Sequence, residues 1–203
     1  MPAFLNSNDI VMNKRFVLIA ASLLLPICLC LSCKQSIKKA AQAEEPTATE
    51  AAAEEDLDLK YAADLLKKGE VAPAFTLKDP QGKEVSLSDL KGKYVVIDFW
   101  ASWCPDCRKD VPKMKELKEK YSSERIAFLG ISFDTEIDKW KGFIEENGMD
   151  WIHVSPMVKW KESQVSQDYK VNWIPSMYLV DPDGKVVFGT VVLDKLEKAL
   201  ESL

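Results

Sequence analysis

The sequence predicts an α/β domain with a mixed central sheet covered by helices, and three observations carry that prediction. Tyr94-Val95-Val96-Ile97-Asp98-Phe99-Trp100 is a nearly continuous apolar run, the pattern of a strand buried on both faces. A helix-length amphipathic stretch, Cys104 to Lys120, separates it from a second apolar run, Arg125 to Phe133. The chain then closes with two strand-like segments around Asp181-Pro182-Asp183-Gly184, a hairpin turn, and a final helical pattern.

The elements follow in order. Leu57 to Lys67 has apolar residues at helical spacing (Leu57, Tyr61, Leu65) and stops at Gly69, which predicts a short helix. Ala74–Leu77 and Glu84–Leu87 flank Asp79-Pro80-Gln81-Gly82, where Pro presets φ and Gly supplies a positive one, so a hairpin is expected. Strand Tyr94–Trp100 leads into helix Cys104–Lys120, with Val111, Met114 and Leu117 on one side. Arg125–Phe133 is a strand, and Ile137–Glu146 a helix closed by Asn147-Gly148. Trp151–Val154 is a short strand, Ser163–Lys170 a short helix, and Ser176–Val180 and Lys185–Gly189 the final strands. Asp194 opens the last helix, which runs to near Leu203.

The 203 residues suffice for one domain of ordinary size plus a leader and a linker. With 27 Lys+Arg against 32 Asp+Glu, and no basic stretch interleaved with aromatics, a nucleic-acid footprint is not indicated. Met12-Asn13-Lys14-Arg15 followed by the apolar Phe16–Leu31 reads as a secretory leader (1–32), with Met12 as an alternative start. Ser32-Cys33 at its end resembles the lipobox of bacterial lipoproteins, in which Cys33 would carry the lipid, although Cys30 stands where that pattern has Leu. An uncleaved anchor or an ordinary signal peptide fits the same segment; all three place the remainder outside the cytoplasm. Residues 33–56 are rich in Ala, Glu and Thr and too poor in apolar residues to offset ordering entropy, so they are expected to be a flexible tether before a domain at 57–203.

Of the five cysteines, Cys28, Cys30 and Cys33 lie in the leader region, leaving Cys104 and Cys107 alone in the domain. A C-x-x-C where a buried strand gives way to a helix reads as a redox-active dithiol. The helix N-terminus offers free N–H groups and a partial positive charge to the first sulfur, and thiolate is the attacking form in disulfide exchange. Asp98 is a carboxylate inside an apolar strand, costly unless paired or protonated, so a raised pKa is expected. Asp106, between the cysteines, places a negative charge that opposes a thiolate on Cys104 and favours a more reducing couple. His153, the only histidine, cannot form a metal site with a lone C-x-x-C, and reads as structural. Trp140, Trp151, Trp160 and Trp173 read as core and rim, with Trp173 able to border a substrate groove.

The string Val96-Ile97-Asp98-Phe99-Trp100-Ala101-Ser102-Trp103-Cys104-Pro105-Asp106-Cys107, with Pro112 and a downstream Ile174-Pro175, resembles thioredoxins. Gly69-Glu70-Val71-Ala72-Pro73-Ala74-Phe75-Thr76-Leu77, the hairpin after it and the extra helix after Asp134 resemble the TlpA/ResA-like, membrane-tethered extracytoplasmic branch. The resemblance spans about Leu66 to Leu203. It implies a thioredoxin-like three-layer α/β/α sandwich with a mixed central sheet, an N-terminal β-hairpin extension and an inserted helix.

By position it also implies that Cys104 is the nucleophile, Cys107 the resolving cysteine and the two a redox disulfide. Trp103 would be the flanking surface aromatic, Pro175 a cis-proline facing the dithiol, and Ile174 the backbone that pairs with substrate. Read without the cysteines, Pro175 is an ordinary strand-start proline. Asp98 would relay the proton leaving Cys107 through water; thioredoxin's partner lysine has no counterpart, since Phe128 to Phe133 is uncharged. Asp110 stands where ResA-like proteins carry a glutamate tied to thiol acidity, one methylene shorter here, and is otherwise a solvated helix residue.

The expected function is an extracytoplasmic thiol–disulfide oxidoreductase of the protein-disulfide reductase type, working through a mixed disulfide. No cofactor or metal is expected. The expected setting is the periplasmic face of the cell envelope, with the protein a monomer held to the membrane by its lipidated N-terminus. The partners would be protein thiols and disulfides, apocytochrome cysteines among the open choices, and an upstream membrane electron donor. Two alternatives compete. A thiol peroxidase shares the Pro73–Leu77 opening but needs a Pro/Thr loop that Ala101-Ser102-Trp103 does not supply. A copper carrier of thioredoxin fold wants C-x-x-x-C and a distant His, one residue more than the spacing here.

Overall fold

The computed structural model describes residues 57–203; the leader and tether (1–32 and 33–56), with Met12 and Cys33, lie outside the described residues. A helical turn at 57–61 (α1) precedes the antiparallel hairpin β1 (Thr76–Lys78) and β2 (Glu84–Ser86). Then come β3 (Tyr94–Trp100), α2 (Pro105–Tyr121), β4 (Ile126–Ser132), α3 (Ile137–Asn147) and β5 (Ile152–Val154). The chain ends with α4 (Gln164–Asp168), β6 (Ser176–Val180), β7 (Val186–Thr190) and α5 (Leu193–Glu201). The main sheet runs β5-β4-β3-β6-β7, with β3, β4 and β5 parallel and β6 and β7 antiparallel to their neighbours, so the predicted mixed α/β sheet is present.

β3 is the central strand and is buried along nearly its whole length. The period-two alternation sends Val95, Ile97 and Phe99 into the larger apolar cluster, with Tyr169, Tyr178 and Trp140, while Val96 joins the cluster formed with α2 and α5. Asp98 shares parity with Val96 and therefore lies on the α2 side of the sheet. Each of these buried apolar side chains stabilises the fold by about 1.5–3 kcal/mol, which is what allows one carboxylate among them.

α2 begins at Pro105, with Cys104 as its N-cap, where proline's fixed φ and missing N–H cost nothing. It buries Cys107, Val111, Met114 and Leu117 along one stripe, matching the predicted apolar side. α3, the inserted helix, ends at Gly148 in the left-handed conformation (φ 57°) that closes a helix C-terminus.

The N-terminal helix is shorter than its periodicity predicts. Helical structure ends at Tyr61; Leu65 N–H bonds Ala62 O (3.2 Å) in a tight turn, and Leu66 N–H is taken by Tyr178 Oη (3.0 Å). Leu65 and Leu66 are buried all the same, so the apolar spacing reflects burial in the core rather than a continuing helix. Asp58 fixes α1 to the β7–α5 junction, accepting from Thr190 Oγ1 (2.8 Å), Val191 N–H (3.0 Å) and Lys195 Nζ (3.1 Å).

Candidate active site

The dithiol stands at the junction of the central strand and α2. Cys104 and Cys107 are joined as a disulfide with Cα atoms 5.3 Å apart, both almost fully buried. The Cys107 N–H points at Cys104 Sγ (3.1 Å), the N-cap arrangement of α2. In the reduced protein that N–H and the helix dipole act on the Cys104 sulfur and favour its thiolate. Trp103, next to the pair, is 54% exposed, so an apolar surface flanks the sulfurs.

The peptide bond Ile174–Pro175 is cis, as expected, and Ile174 O lies 3.7 Å from Cys104 Sγ. The loop before β6 therefore faces the dithiol across a narrow gap. Pro175 has no N–H, so the backbone edge beside the sulfur is left to neighbouring groups.

Behind the disulfide, Asp98, Cys107, Asp110 and Pro175 line a small cavity with room for about one water molecule. Val111, Met114, Met149, Trp151 and Met177 form its apolar walls. Asp98 is 9% exposed; burial, and then the charge of Asp110, push its pKa up to about 8. Its sheet neighbours are Gly130 and Met177, so no cation faces it across either ladder. Asp110, half-buried, is raised to about 6 by burial and then by Asp106 and Asp194, with Lys109 opposing. Asp110 is thus drawn in behind Cys107 rather than being a solvated helix residue. Asp106 is different: it is exposed and paired with Lys109 (2.9 Å), so its charge is screened by solvent and it does not line the cavity. The carboxylates that bear on the dithiol are Asp98 and Asp110 more than Asp106.

Asp110 and Pro175 also line an open groove of about 410 Å³ on the outer side. Trp173, Val191, Val192 and Leu193 give it an apolar floor, Asp194 a carboxylate, and Leu57 of α1 a wall. Trp173 stacks on Tyr61 (ring centroids 4.0 Å apart), which explains why α1 is held here. The part played by Leu57 and Asp194 was not readable from sequence, because nothing in either segment indicates its neighbour.

One polar cluster escaped the sequence reading altogether. Asp134, 2% exposed, accepts hydrogen bonds from Ser102 N–H (2.9 Å), Ser102 Oγ (2.6 Å) and Ser132 Oγ (2.6 Å). The signal was available in Ser132-Phe133-Asp134, polar residues at the C-terminal end of a parallel strand, where open α/β sheets place their sites. His153, by contrast, is buried against Trp100 and Trp151 and pushed down to about 4 by burial; it lines neither the cavity nor the groove. Trp140 is core, and Trp151, Trp160 and Trp173 are half-buried at the rim, as expected.

Comparison with known proteins agrees with this geometry. The family model described as "AhpC/TSA family" matches residues 68–188. The thiol-disulfide oxidoreductase ResA of Bacillus anthracis is 33% identical over 138 residues, which cover 66% of this chain and 78% of the relative. The ResA of Bacillus subtilis is 33% identical over 122 residues, covering 60% and 66%. Among solved structures, the thioredoxin domain of a thiol-disulfide oxidoreductase from Bacteroides vulgatus superposes with a TM-score of 0.62 at 36% identity, covering 68% of this chain and 97% of that one. A thiol:disulfide interchange protein from Bacteroides sp. gives 0.61 at 36%, covering 68% and 90%. With a buried C-x-x-C at a helix N-terminus, a cis-proline facing it and these matches, the chain belongs to the AhpC/TSA family, among its thioredoxin-fold, ResA-like thiol-disulfide oxidoreductases.

Proposed function

We propose that this protein reduces disulfides of polypeptide substrates outside the cytoplasm, through a mixed disulfide on Cys104. The observation that carries the reading is the placement of two pKa-raised carboxylates, Asp98 and Asp110, around a water-sized cavity behind the resolving cysteine. The Cys104 thiolate attacks one sulfur of the substrate disulfide, whose S–S bond breaks; the departing substrate thiolate takes up a proton. Cys107 then passes its proton through the cavity to the Asp98 carboxylate and, as thiolate, attacks the Cys104 sulfur of the mixed disulfide. The second substrate thiolate leaves and is protonated. Two electrons have moved to the substrate, and Cys104–Cys107 is the disulfide that remains. The groove lined by Trp173, Pro175 and Leu57 receives the substrate chain, with the Ile174 backbone and the Trp103 face beside the reacting sulfurs.

The reductive direction is favoured because Asp110, raised only to about 6 and so largely ionised at neutral pH, sets a negative charge behind the dithiol that opposes a stabilised thiolate. A couple whose reduced form is poorly stabilised is reducing. Turnover then needs a dithiol donor at the membrane. Equilibration with glutathione or dithiothreitol redox buffers tests this: a potential closer to about −270 mV than to about −120 mV is expected, and one at or above about −150 mV would overturn it.

The leader supports placement at the envelope with lipid on Cys33. In the full chain, Cys33→Ala is expected to abolish incorporation of labelled fatty acid and release the protein from the membrane fraction. Retention of the variant in membranes would instead favour an uncleaved anchor.

A further inference from the structure

Two residues before the nucleophile, the β3–α2 loop is held by a buried acid that no step of the exchange uses. Asp134 takes both the N–H and the hydroxyl of Ser102, and Ser132 Oγ–H besides. Its own N–H returns to Ser132 Oγ (3.0 Å). Ser155 Oγ donates to Ser132 O (2.8 Å) and Asp134 O (3.3 Å), and accepts the N–H of Met157 (3.0 Å). Ser132 and Ser155 are as buried as the acid. The end of β4 and the loop before the dithiol therefore meet at one carboxylate, and Ser155 at the end of β5 holds the backbone that carries it.

A buried charge is costly, and here the hydrogen bonds it receives are spent on a short loop rather than on the core. That loop continues without slack into the active site: Ala101 O accepts the Cys104 N–H (3.1 Å), and Cys104 caps α2 with its sulfur under the Cys107 N–H (3.1 Å). Ser102 is gripped by two bonds to the two oxygens of one planar carboxylate, which restrains both the position and the orientation of the loop there.

We propose that Asp134 is a positioning residue for the nucleophile: by clamping Ser102 it fixes the height and direction of Cys104 Sγ over the first turn of α2, and so the thiolate character of that sulfur. The proposal rests on Cys104 being the attacking thiol. It makes a prediction opposite in sign to the acid's direct electrostatic effect. A nearby negative charge opposes a thiolate, so removing it through space would make Cys104 more acidic. If the carboxylate acts by positioning, removing it lets Sγ drift from the N–H and the helix axis, and Cys104 becomes less acidic.

The test is the pH dependence of Cys104 alkylation by iodoacetamide in the reduced full chain, read on the Cys104 peptide by mass spectrometry. Asp134→Asn keeps the shape and one acceptor oxygen; Ser102→Ala keeps the backbone clamp and loses the hydroxyl one. The other ionisable groups around the dithiol, Asp98 on β3 and Asp106, Lys109 and Asp110 on α2, stay in place in both. Asp134→Asn is expected to raise the alkylation midpoint by about one pH unit, lowering the rate at pH 7 roughly tenfold, with a smaller rise for Ser102→Ala. A midpoint that falls, or stays within error of wild type while circular dichroism shows the native fold, overturns the proposal. Should Asp134→Asn not fold, Ser102→Ala decides, and no rise there overturns it equally. A wild-type protein alkylated first at Cys107 would defeat the assignment of the nucleophile instead, a result separable from either midpoint.

Discussion

Cys104→Ser is expected to lose disulfide-reducing activity by at least about a thousandfold, the scale on which loss of a covalent nucleophile is felt. Cys107→Ser is expected to lose turnover too, but to gain something: it should accumulate mixed disulfides with its substrates. The asymmetry follows from the two environments. Cys104 sits at the N-cap of α2 with the Cys107 N–H aimed at its sulfur and the cis-proline loop 3.7 Å away, so it meets an incoming chain. Cys107 is one turn in and faces the cavity with Asp98, so it can attack only a sulfur already held on Cys104. Non-reducing electrophoresis of the two variants after expression in an envelope-bearing host separates the roles. Adducts on Cys107→Ser alone are expected; adducts on Cys104→Ser alone would reverse the assignment, and adducts on neither would remove the mixed-disulfide mechanism. Mass spectrometry of the trapped species would identify the substrate class directly.

Much of this site was legible in the sequence because its parts are local or carry a strong chemical signature. The dithiol lies at a strand-to-helix junction that periodicity alone locates, and the cost of a carboxylate in an apolar strand marks Asp98 before any coordinates. Strand and helix positions were equally legible wherever the apolar period was long, as in β3, α2 and β4. What was not legible depends on tertiary neighbours. Asp106 carries the obvious charge in the motif, yet it lies exposed and paired with Lys109, and the less conspicuous Asp110 is the one drawn in behind Cys107. Leu57 and Tyr61 read in sequence as a helix of unknown purpose; in the structure Trp173 stacks on Tyr61, and Leu57 lines the groove beside the cis-proline. Asp134 joins residues about thirty positions apart in sequence, and a single chain gives no sign that Ser102 and Asp134 meet.

Asp98→Asn is expected to make the oxidised protein more stable and the reduced one a slower catalyst. The folded state holds the Asp98 carboxyl at about 8, against about 3.9 in an unfolded chain. A carboxyl raised by folding imposes no penalty below the unfolded value. The penalty grows as pH rises from about 4 to about 8 and is constant beyond, at about 1.4 kcal/mol per pH unit across the window. At pH 7 it amounts to about 4 kcal/mol, which the neutral amide of nearly the same volume removes. Urea unfolding of the oxidised proteins should therefore show almost no difference at pH 4 and a gain for Asp98→Asn of about 4 kcal/mol at pH 7, or roughly 10 °C in Tm. His153, pushed down to about 4 by burial, weakens both proteins alike as pH falls from about 6.5 and cancels in the comparison. A gain independent of pH would mean that Asp98 is not held protonated by its surroundings. Catalysis should move the other way, because the amide cannot accept the Cys107 proton across the cavity. Release of substrate from the Cys104 mixed disulfide should slow by about 10²-fold or more, typical of losing a general base, and should lose the rise towards pH 8 that the wild-type carboxylate gives. Stability and rate then trade against each other at one side chain. A carboxylate that costs the fold several kcal/mol at neutral pH persists in the central strand because, in the proposed mechanism, it is the base that Cys107 requires.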